Sequence, residues 1–542
     1  MTAGLAARWL LVLSALIPAV LMAQDSTHGR HSTPSRRLHP GSDDEGYLRY
    51  LQTLGLVPGH PWSLRAFSSV ELALLGSTDA NHPRASAVSL QVTPGRLGRF
   101  HVEFEPIAVS AWYNTSFPFG INDGAVWMGR GATVQAQFGA IGTIGPLQLR
   151  MAPTGFWTEN RGFPLAPTHP RASIFADPRY PTSVDRPQRF GPSSYGRGDL
   201  GESEVRLDGF GMAVGLSHAR QWWGPMSDFP LILGTNAPGF AHAFLGSTSS
   251  MNVGVGRTSW RIIYGRLEQT PYSPDSTGSG RRFVTGAIAV LQPRALRGLE
   301  IGASRFYHVE WPAAGLSSRY FTHLFEPFLK SRVRPLDPAG DPGGSSTDNQ
   351  LASVFARWVL PRSGFEVYGE YGREDHNGTF RDLLGEPDHA AAYGLGIRRG
   401  WLRSTDLVAV RAEVFNFQTS TLQRHRGQEA WYRHEYTPQG HTHRGQLLAA
   451  AIGVGSGAGA SLALERFAAT TVDRVSLSRY VVDNLGDVRN TEALYAIHGE
   501  HRWMPSSRVE FFAAVDQVMA LNRSGADNAA NTRLGVGSTF FP

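Results

Sequence analysis

The chain has 542 residues, with 61 glycines, 34 prolines and 11% aromatics spread along its whole length, a mixture that suits many strands joined by turns. It contains no cysteine, which excludes a disulfide framework, thiol chemistry and a lipid-modified cysteine. The formal net charge of +6 rests almost wholly on arginine, Lys330 being the only lysine, and no dense basic block marks a nucleic-acid surface.

Residues 1–23 read as an export signal: Arg8 supplies the positive charge, an apolar run extends from Trp9 to Met22, and Ala23 precedes a cleavage point at Gln24. Pro18 and the short length make that run a poor membrane helix, and no later stretch reaches the roughly 20 apolar residues a span requires. An exported chain of this kind is either soluble or a β-barrel. Residues 24–42, polar and proline-punctuated, read as a flexible linker. In 43–84 a periplasmic helical segment is expected. Asp43 or Asp44 caps a helix that carries Tyr47, Leu48, Leu51 and Leu54 on one side and ends at Gly55 or Pro58, and a second helical piece lies near Ser69 to Leu75.

From residue 85 to 542 the hydrophobic period is two. Ala132, Val134, Ala136 and Phe138 alternate with Thr133, Gln135 and Gln137; Phe365, Val367 and Tyr371 alternate with Glu366, Tyr368 and Glu370. Val509, Phe511, Ala513 and Val515 oppose Arg508, Glu510 and Asp516, while Ala493, Tyr495, Ile497 and Trp503 oppose His498, Glu500 and Arg502. One apolar and one charged face, repeated along the chain without the roughly 100-residue units of stacked sandwiches, predicts an all-β fold. That fold is a transmembrane antiparallel barrel of about 18 strands in the bacterial outer membrane. Connections are unequal: 152–203 carries eight prolines and almost no strand pattern, and 268–281, 309–349 and 418–444 are also long, whereas "TPGR" at 93–96 is short. Phe540 and Phe541 suit the last strand, with Pro542 beyond them.

Inside this pattern stands "RQWWGPMSDFPLILGTNAP", residues 220 to 238. Its Trp223-Gly224-Pro225 turn, apolar run with Leu231 and Leu233, and Asn236-Ala237-Pro238 resemble the capsule-assembly outer-membrane proteins of the Wzi type, with Met226 where that family has glycine. The stretch "SSYGRGDLGESEVRLDGFGMAVGLS", the early "YLRYLQTLGLVPGHPWSLR" and the loop "WYRHEYTPQGHTHRGQLLAAAIGVGS", which holds His443, Arg444 and Gly445, agree with it. The resemblance implies an eighteen-stranded barrel with a periplasmic helical bundle, acting without catalysis as a surface lectin for exported capsular or extracellular polysaccharide.

Sugars are held by aromatic faces and by planar hydrogen-bonding side chains, and acidic sugars by arginine. Trp222, Trp431, Tyr432, Arg433, His434, Tyr436 and Arg444 are therefore the glycan-binding candidates. Trp223, Gly224, Pro225, Asn236, Ala237, Pro238, His443 and Gly445 are read as mainly structural: the tryptophan packs, and Asn236 satisfies the turn's own backbone. Expected partners are the polysaccharide, outer-membrane lipid and lipopolysaccharide, and the barrel-assembly machinery during insertion. No nucleic acid, cofactor or metal is expected, and the chain is read as a monomer. His434, His441 and His443 lack a zinc-like spacing, and adjacent Ser217 and His218 point to opposite faces of a strand and cannot pair. A porin or channel for sugars or small solutes is the main alternative, and a barrel hydrolase a further one.

Overall fold

The computed structural model describes residues 38–76, 81–85, 100–274, 279–325, 349–360, 362–374, 384–419, 430–435, 437–451, 453–483, 491–525 and 527–542. The export signal, most of the linker, the 93–96 turn and Tyr436 lie outside them.

The wall is one closed antiparallel sheet of 18 strands. In chain order they are β1 (His101–Asn114), β2 (Gly131–Ile144), β3 (Leu147–Met151, continued by Thr154–Thr158), β4 (Tyr195–Asp199, continued by Glu204–Gly209), β5 (Met212–Ser217) and β6 (His242–Ser247, continued by Met251–Asn252). Then come β7 (Gly256–Glu268), β8 (Arg281–Pro293), β9 (Leu299–Glu310), β10 (Asn349–Leu360), β11 (Phe365–Glu374) and β12 (Ala391–Leu402). The wall ends with β13 (Asp406–Asn416), β14 (Ala458–Ala468), β15 (Thr471–Asp483), β16 (Glu492–Ser506), β17 (Val509–Leu521) and β18 (Ala529–Phe540). β18 pairs back onto β1, from Ile107↔Phe540 to Asn114↔Arg533, and so closes the sheet on itself.

The two-residue period decides which face each side chain takes. Phe138, Leu395, Leu464, Val475, Ile497 and Val536 project outward and are exposed, whereas Thr133, Glu366, Glu370, Glu413 and Glu465 point into the lumen and are buried. A continuous apolar outer belt with a polar interior is stable only where hydrocarbon surrounds the wall, which makes this an outer-membrane barrel. Aromatics cluster towards the rims, with Phe104, Trp358, Trp401 and Trp503 near one and Tyr113, Trp157, Tyr393 and Tyr495 near the other.

Turns at one rim are tight. The β4–β5 turn is Phe210-Gly211, with φ of 53° and 78°, the left-handed pair that a two-residue hairpin requires. Loops at the other rim are long. At the tight-turn rim, helix α1 (Asp43–Thr53) sits inside the lumen. Its cap is Ser42, ahead of the expected aspartates: Ser42 Oγ accepts from Glu45 N at 3.3 Å, which leaves Asp43, Asp44 and Glu45 in the first turn where the helix dipole favours acids. Gly55, at φ 77°, ends the helix. Helix α2 (Ser69–Gly76) follows, where the second piece was expected.

Candidate functional site

Residues 220–238 form the plug of the barrel. Trp223 is fully buried, its ring edge-on to Phe306 of β9 with centroids 6.3 Å apart. The backbone of this stretch is irregular, so each of its polar groups needs an outside partner, and these come from both ends of the molecule. From the helical segment, Gly224 N donates to Ser63 O (2.9 Å), while Arg49 and Arg65 donate to the carbonyls of Pro225 (2.7 Å) and Met226 (2.8 Å). From the wall, Glu413 accepts from the backbone N–H groups of Ser227 (2.7 Å) and Asp228 (2.8 Å). From the late loop, Tyr432 OH donates to Leu231 O (3.0 Å), His441 Nε2 to Ile232 O (2.7 Å), and Gly234 N to Leu448 O (2.8 Å). Asn236 reaches beyond its own turn: its amide donates to Leu447 O (2.9 Å), and its Oδ1 accepts from Asn122 N (3.4 Å).

Arg49 also joins the plug to the wall. It lies 2.6 Å from Glu366, both side chains fully buried, and Glu366 is shared with Arg357 at 2.7 Å. Tyr50 OH donates to Glu465 (2.6 Å), and Asp43 meets Arg474 (2.5 Å) and Arg502 (2.7 Å). These pairs seal the tight-turn end.

Burial corrects three of the glycan candidates. Trp222 is 2% exposed, covered on one face by the Arg65 guanidinium at 4.3 Å, with its indole N–H donating to Met226 O at 3.0 Å. Trp431 and Tyr432 are fully buried; Tyr432 stacks on His441 with centroids 5.3 Å apart, and Trp431 meets it edge-on. These rings are spent on packing the plug and present no face to a sugar. The aromatic run looked loop-like in sequence, but its loop folds inward. His434 is buried as well, and Arg444 is held between Asp199 (2.9 Å) and Glu268 (2.8 Å) in the turn of a small hairpin, Thr442–His443 with Gln446–Leu447. Gly445, at φ 83°, closes that turn against Phe190 and Thr270, where a Cβ would fall 2.8 Å from each. His443 Nδ1 accepts from Glu268 N (3.0 Å). Burial lowers the pKa of His441 to about 3 and that of His443 well below its usual value, so both rings are neutral struts at pH 7.

Of the candidates among the described residues, Arg433 is the one near the outer surface without a two-sided ion pair. Its guanidinium lies 4.4 Å over the Tyr180 ring and donates to Ser183 Oγ (3.1 Å). Tyr180 and Ser183 belong to the proline-rich loop 159–194, which folds over the mouth as a lid. Asp185, fully buried, accepts from Thr270 N (2.8 Å) and Thr270 Oγ1 (2.5 Å) and donates its own backbone N–H to Gln439 O (2.9 Å); burial raises its carboxyl pKa to about 6. Asp177 lies beneath Arg186 (2.7 Å), and Arg179 reaches Glu492 (3.1 Å). Arg161 and Arg171 are exposed and Arg189 half-buried. The lid thus buries two aspartates and turns arginine outward. Sequence reasoning marked this loop as long but missed its arginines. The available signal was five arginines within 159–194, at 161, 171, 179, 186 and 189.

A closed outer-membrane barrel whose lumen is filled by its own helix and loops, under an arginine-bearing lid, is the class that fold and site define. The chain belongs to the family of the capsule assembly protein Wzi, whose model matches residues 118–471. It is similar to the solved structure of Escherichia coli Wzi, described as an outer membrane protein involved in group 1 capsule assembly and a carbohydrate binding beta-barrel. The TM-score is 0.61 at 14% identity over 93% of this chain and 99% of that one. OccAB1 of Acinetobacter baumannii (TM-score 0.41, 10% identity, 82% and 97% of the two chains) and Pseudomonas aeruginosa OccK2 with glucuronate (0.41, 8%, 82% and 99%) are more distant barrels. No curated protein sequence matches the chain.

Proposed function

We propose that this protein holds an exported acidic polysaccharide at the cell surface, as a lectin that carries out no reaction, with the outer face of the lid as its contact surface. The observation that carries this reading is the polarity of the 159–194 loop: Asp177 and Asp185 are buried under it while Arg161 and Arg171 stand exposed on it. Planar guanidinium groups match carboxylate geometry and stay charged at every physiological pH. Arg433, stacked on Tyr180, extends the same surface. The family and the carbohydrate binding described for E. coli Wzi support the assignment. The filled lumen favours a surface role over conduction.

The test is titration of detergent-purified protein with the host's own extracted surface polysaccharide, beside the triple variant Arg161→Gln, Arg171→Gln, Arg433→Gln. Saturable binding that weakens about tenfold or more in the folded variant, with a shallower salt dependence, is the expected result. A folded wild-type barrel that binds no host glycan sinks the lectin role, and single-channel conductance would then test the pore alternative.

A further inference from the structure

The tight-turn end, which in such a barrel faces the periplasm, is sealed by arginines that meet carboxylates, as Arg49, Arg357, Arg474 and Arg502 do. Three arginines at the same end stand outside that pairing. Arg257 lies at the start of β7 on the inward-facing register, two residues before buried Ser259 and four before buried Arg261. Arg294 and Arg297 belong to the β8–β9 turn. All three are exposed, and none makes an ion pair among the described residues. Their contacts are neutral: Arg294 donates to Asn252 Oδ1 (3.3 Å) and Arg257 to Ser250 O (3.5 Å).

The three border one crevice of about 640 Å³, between the chain that follows α1 and the tight-turn ends of β7 to β10. Val57 and Val359, both buried, give it an apolar floor. Gln292, the next inward position after buried Val290, brings an amide that makes no side-chain hydrogen bond among the described residues. Glu300 is the only carboxylate on the described lining, and it is taken by Arg357 and by Ser63 Oγ (3.0 Å). Arg357 in turn keeps a buried Nε with no acceptor among the described residues. The balance of charge is positive. At His60, next to Gly59 of the lining, burial aided by the charges of Arg357, Arg65 and Arg257 lowers the pKa to about 3.

A crevice of this size exceeds what a single inorganic anion fills and lies in the range of roughly 300–1,000 Å³ that holds small molecules. Its place on the lumen side of the wall keeps it away from lipid headgroups. Guanidinium groups around an apolar floor, with an amide beside them, complement a sugar that carries a carboxylate: the arginines suit the acid, the amide the hydroxyls, and the valines the ring C–H surface.

We infer that this crevice is a second saccharide site, facing the periplasm, that takes a short acidic stretch of the polysaccharide. The inference rests on the reading of the protein as a holder of acidic polysaccharide and adds a contact on the other face of the membrane. Because the lumen is filled, the site serves chain that lies on the periplasmic side and not chain in transit through the barrel.

Arginine footprinting tests both faces at once. The full chain in detergent is treated with phenylglyoxal, and modification of each arginine is read by peptide mass spectrometry. The treatment is repeated with short acidic oligosaccharides cut from the host's surface polysaccharide, with the same oligosaccharides after reduction of their carboxyls to alcohols, and with an oligoglutamate peptide. The acidic oligosaccharides should slow modification of Arg257, Arg294 and Arg297 about fivefold or more. The reduced form should not, and oligoglutamate at equal carboxylate concentration should protect less, since it offers neither ring hydroxyls nor ring C–H faces. Exposed Arg403 and Arg508, outside both sites, should react as before. In parallel, the triple variant Arg257→Gln, Arg294→Gln, Arg297→Gln should weaken oligosaccharide binding at this site about tenfold. All three side chains are exposed, so the fold should persist, and the heat-dependent gel shift of the barrel checks it. Protection of Arg161, Arg171 and Arg433 without the inner three overturns this inference and leaves the outer lectin surface standing. Protection of the inner three without the outer three supports the crevice and removes the lid as contact surface. Equal protection by oligoglutamate makes the crevice a general anion patch and overturns the saccharide assignment. Absence of any binding or protection removes both sites together.

Discussion

The two ends of the lumen are closed by different chemistry. At the tight-turn end a helix is fastened to the strands by buried ion pairs, Arg49–Glu366–Arg357 and Asp43 with Arg474 and Arg502. At the long-loop end, the plug itself is fastened through backbone groups and neutral side chains, Tyr432 to Leu231 O, His441 to Ile232 O and Asn236 to Leu447 O, and ion pairs such as Arg444 with Asp199 and Glu268 hold only the loops around it. Charge fixed to a rigid wall makes a seal that is hard to remodel. Neutral bonds between loops let the outer surface vary while the plug stays filled, and recognition surfaces are generally carried on such loops.

The sharpest way to break this comparison is Glu366→Gln. It leaves Arg49 with no carboxylate and Arg357 with Glu300 alone, inside a region shut off from water. Loss of one partner of a buried pair costs roughly 3–5 kcal/mol, and urea unfolding in detergent should show a loss of that order. A loss below about 1 kcal/mol would mean that the helix is held by packing and not by charge.

Acid should act on the outer seal in two opposed directions. His441 has a folded pKa of about 3 against 6.5 unfolded, so its contribution to stability is present above pH 6.5 and falls as pH drops through the window from 6.5 towards 3. From pH 7 to pH 5 this amounts to about 2 kcal/mol. Asp185 has the opposite sign: its folded pKa, about 6, is raised above the unfolded value of 3.8, so its contribution is present below 3.8 and is lost as pH rises to about 6. Hydrogen exchange at pH 7 and pH 5, corrected for intrinsic rate, should show the 437–451 segment loosening in acid while the Asp185 region of the lid tightens. His441→Gln keeps an N–H for Ile232 O but does not titrate, and it should reduce the first effect to the part that His443 contributes and leave the second.

Tyr432→Phe removes one hydroxyl from Leu231 O and should cost about 1 kcal/mol by the same unfolding assay. Its small size against Glu366→Gln is the direct contrast between neutral and charged fastening. Glycan affinity should stay unchanged, since the ring is fully buried.

The wall was legible in sequence because a two-residue period leaves no choice about which face meets lipid: Glu366, Tyr368 and Glu370 alternate with Phe365, Val367 and Tyr371 in the sequence and in β11 alike. The closed barrel, its strand number and its family followed from that pattern and from Trp223-Gly224-Pro225. The loops carry no such period. Nothing in "WYRHEY" distinguishes an aromatic turned to water from one turned inward, because the decision rests on Leu231 and Ile232, some 200 positions away in the chain. The shortness of β5 was equally hidden, since a strand of six residues and one of thirteen share the same alternation.

The smallest expected effect on stability falls on the outermost groups. Arg161 is more than half exposed and pairs with Glu159 at 2.8 Å. An exposed pair of this kind contributes little to folding, because water screens both charges and two long side chains lose freedom to meet. Arg161→Gln should therefore shift unfolding by no more than about 0.5 kcal/mol. If the lid is the glycan surface, the same change should weaken polysaccharide binding measurably, most at low salt and least at high salt, since screening removes what an exposed charge supplies. An effect on stability as large as that on binding would make the lid another structural seal. Binding that responds while folding does not would separate the outer end of the barrel, which recognises, from the inner end, which holds.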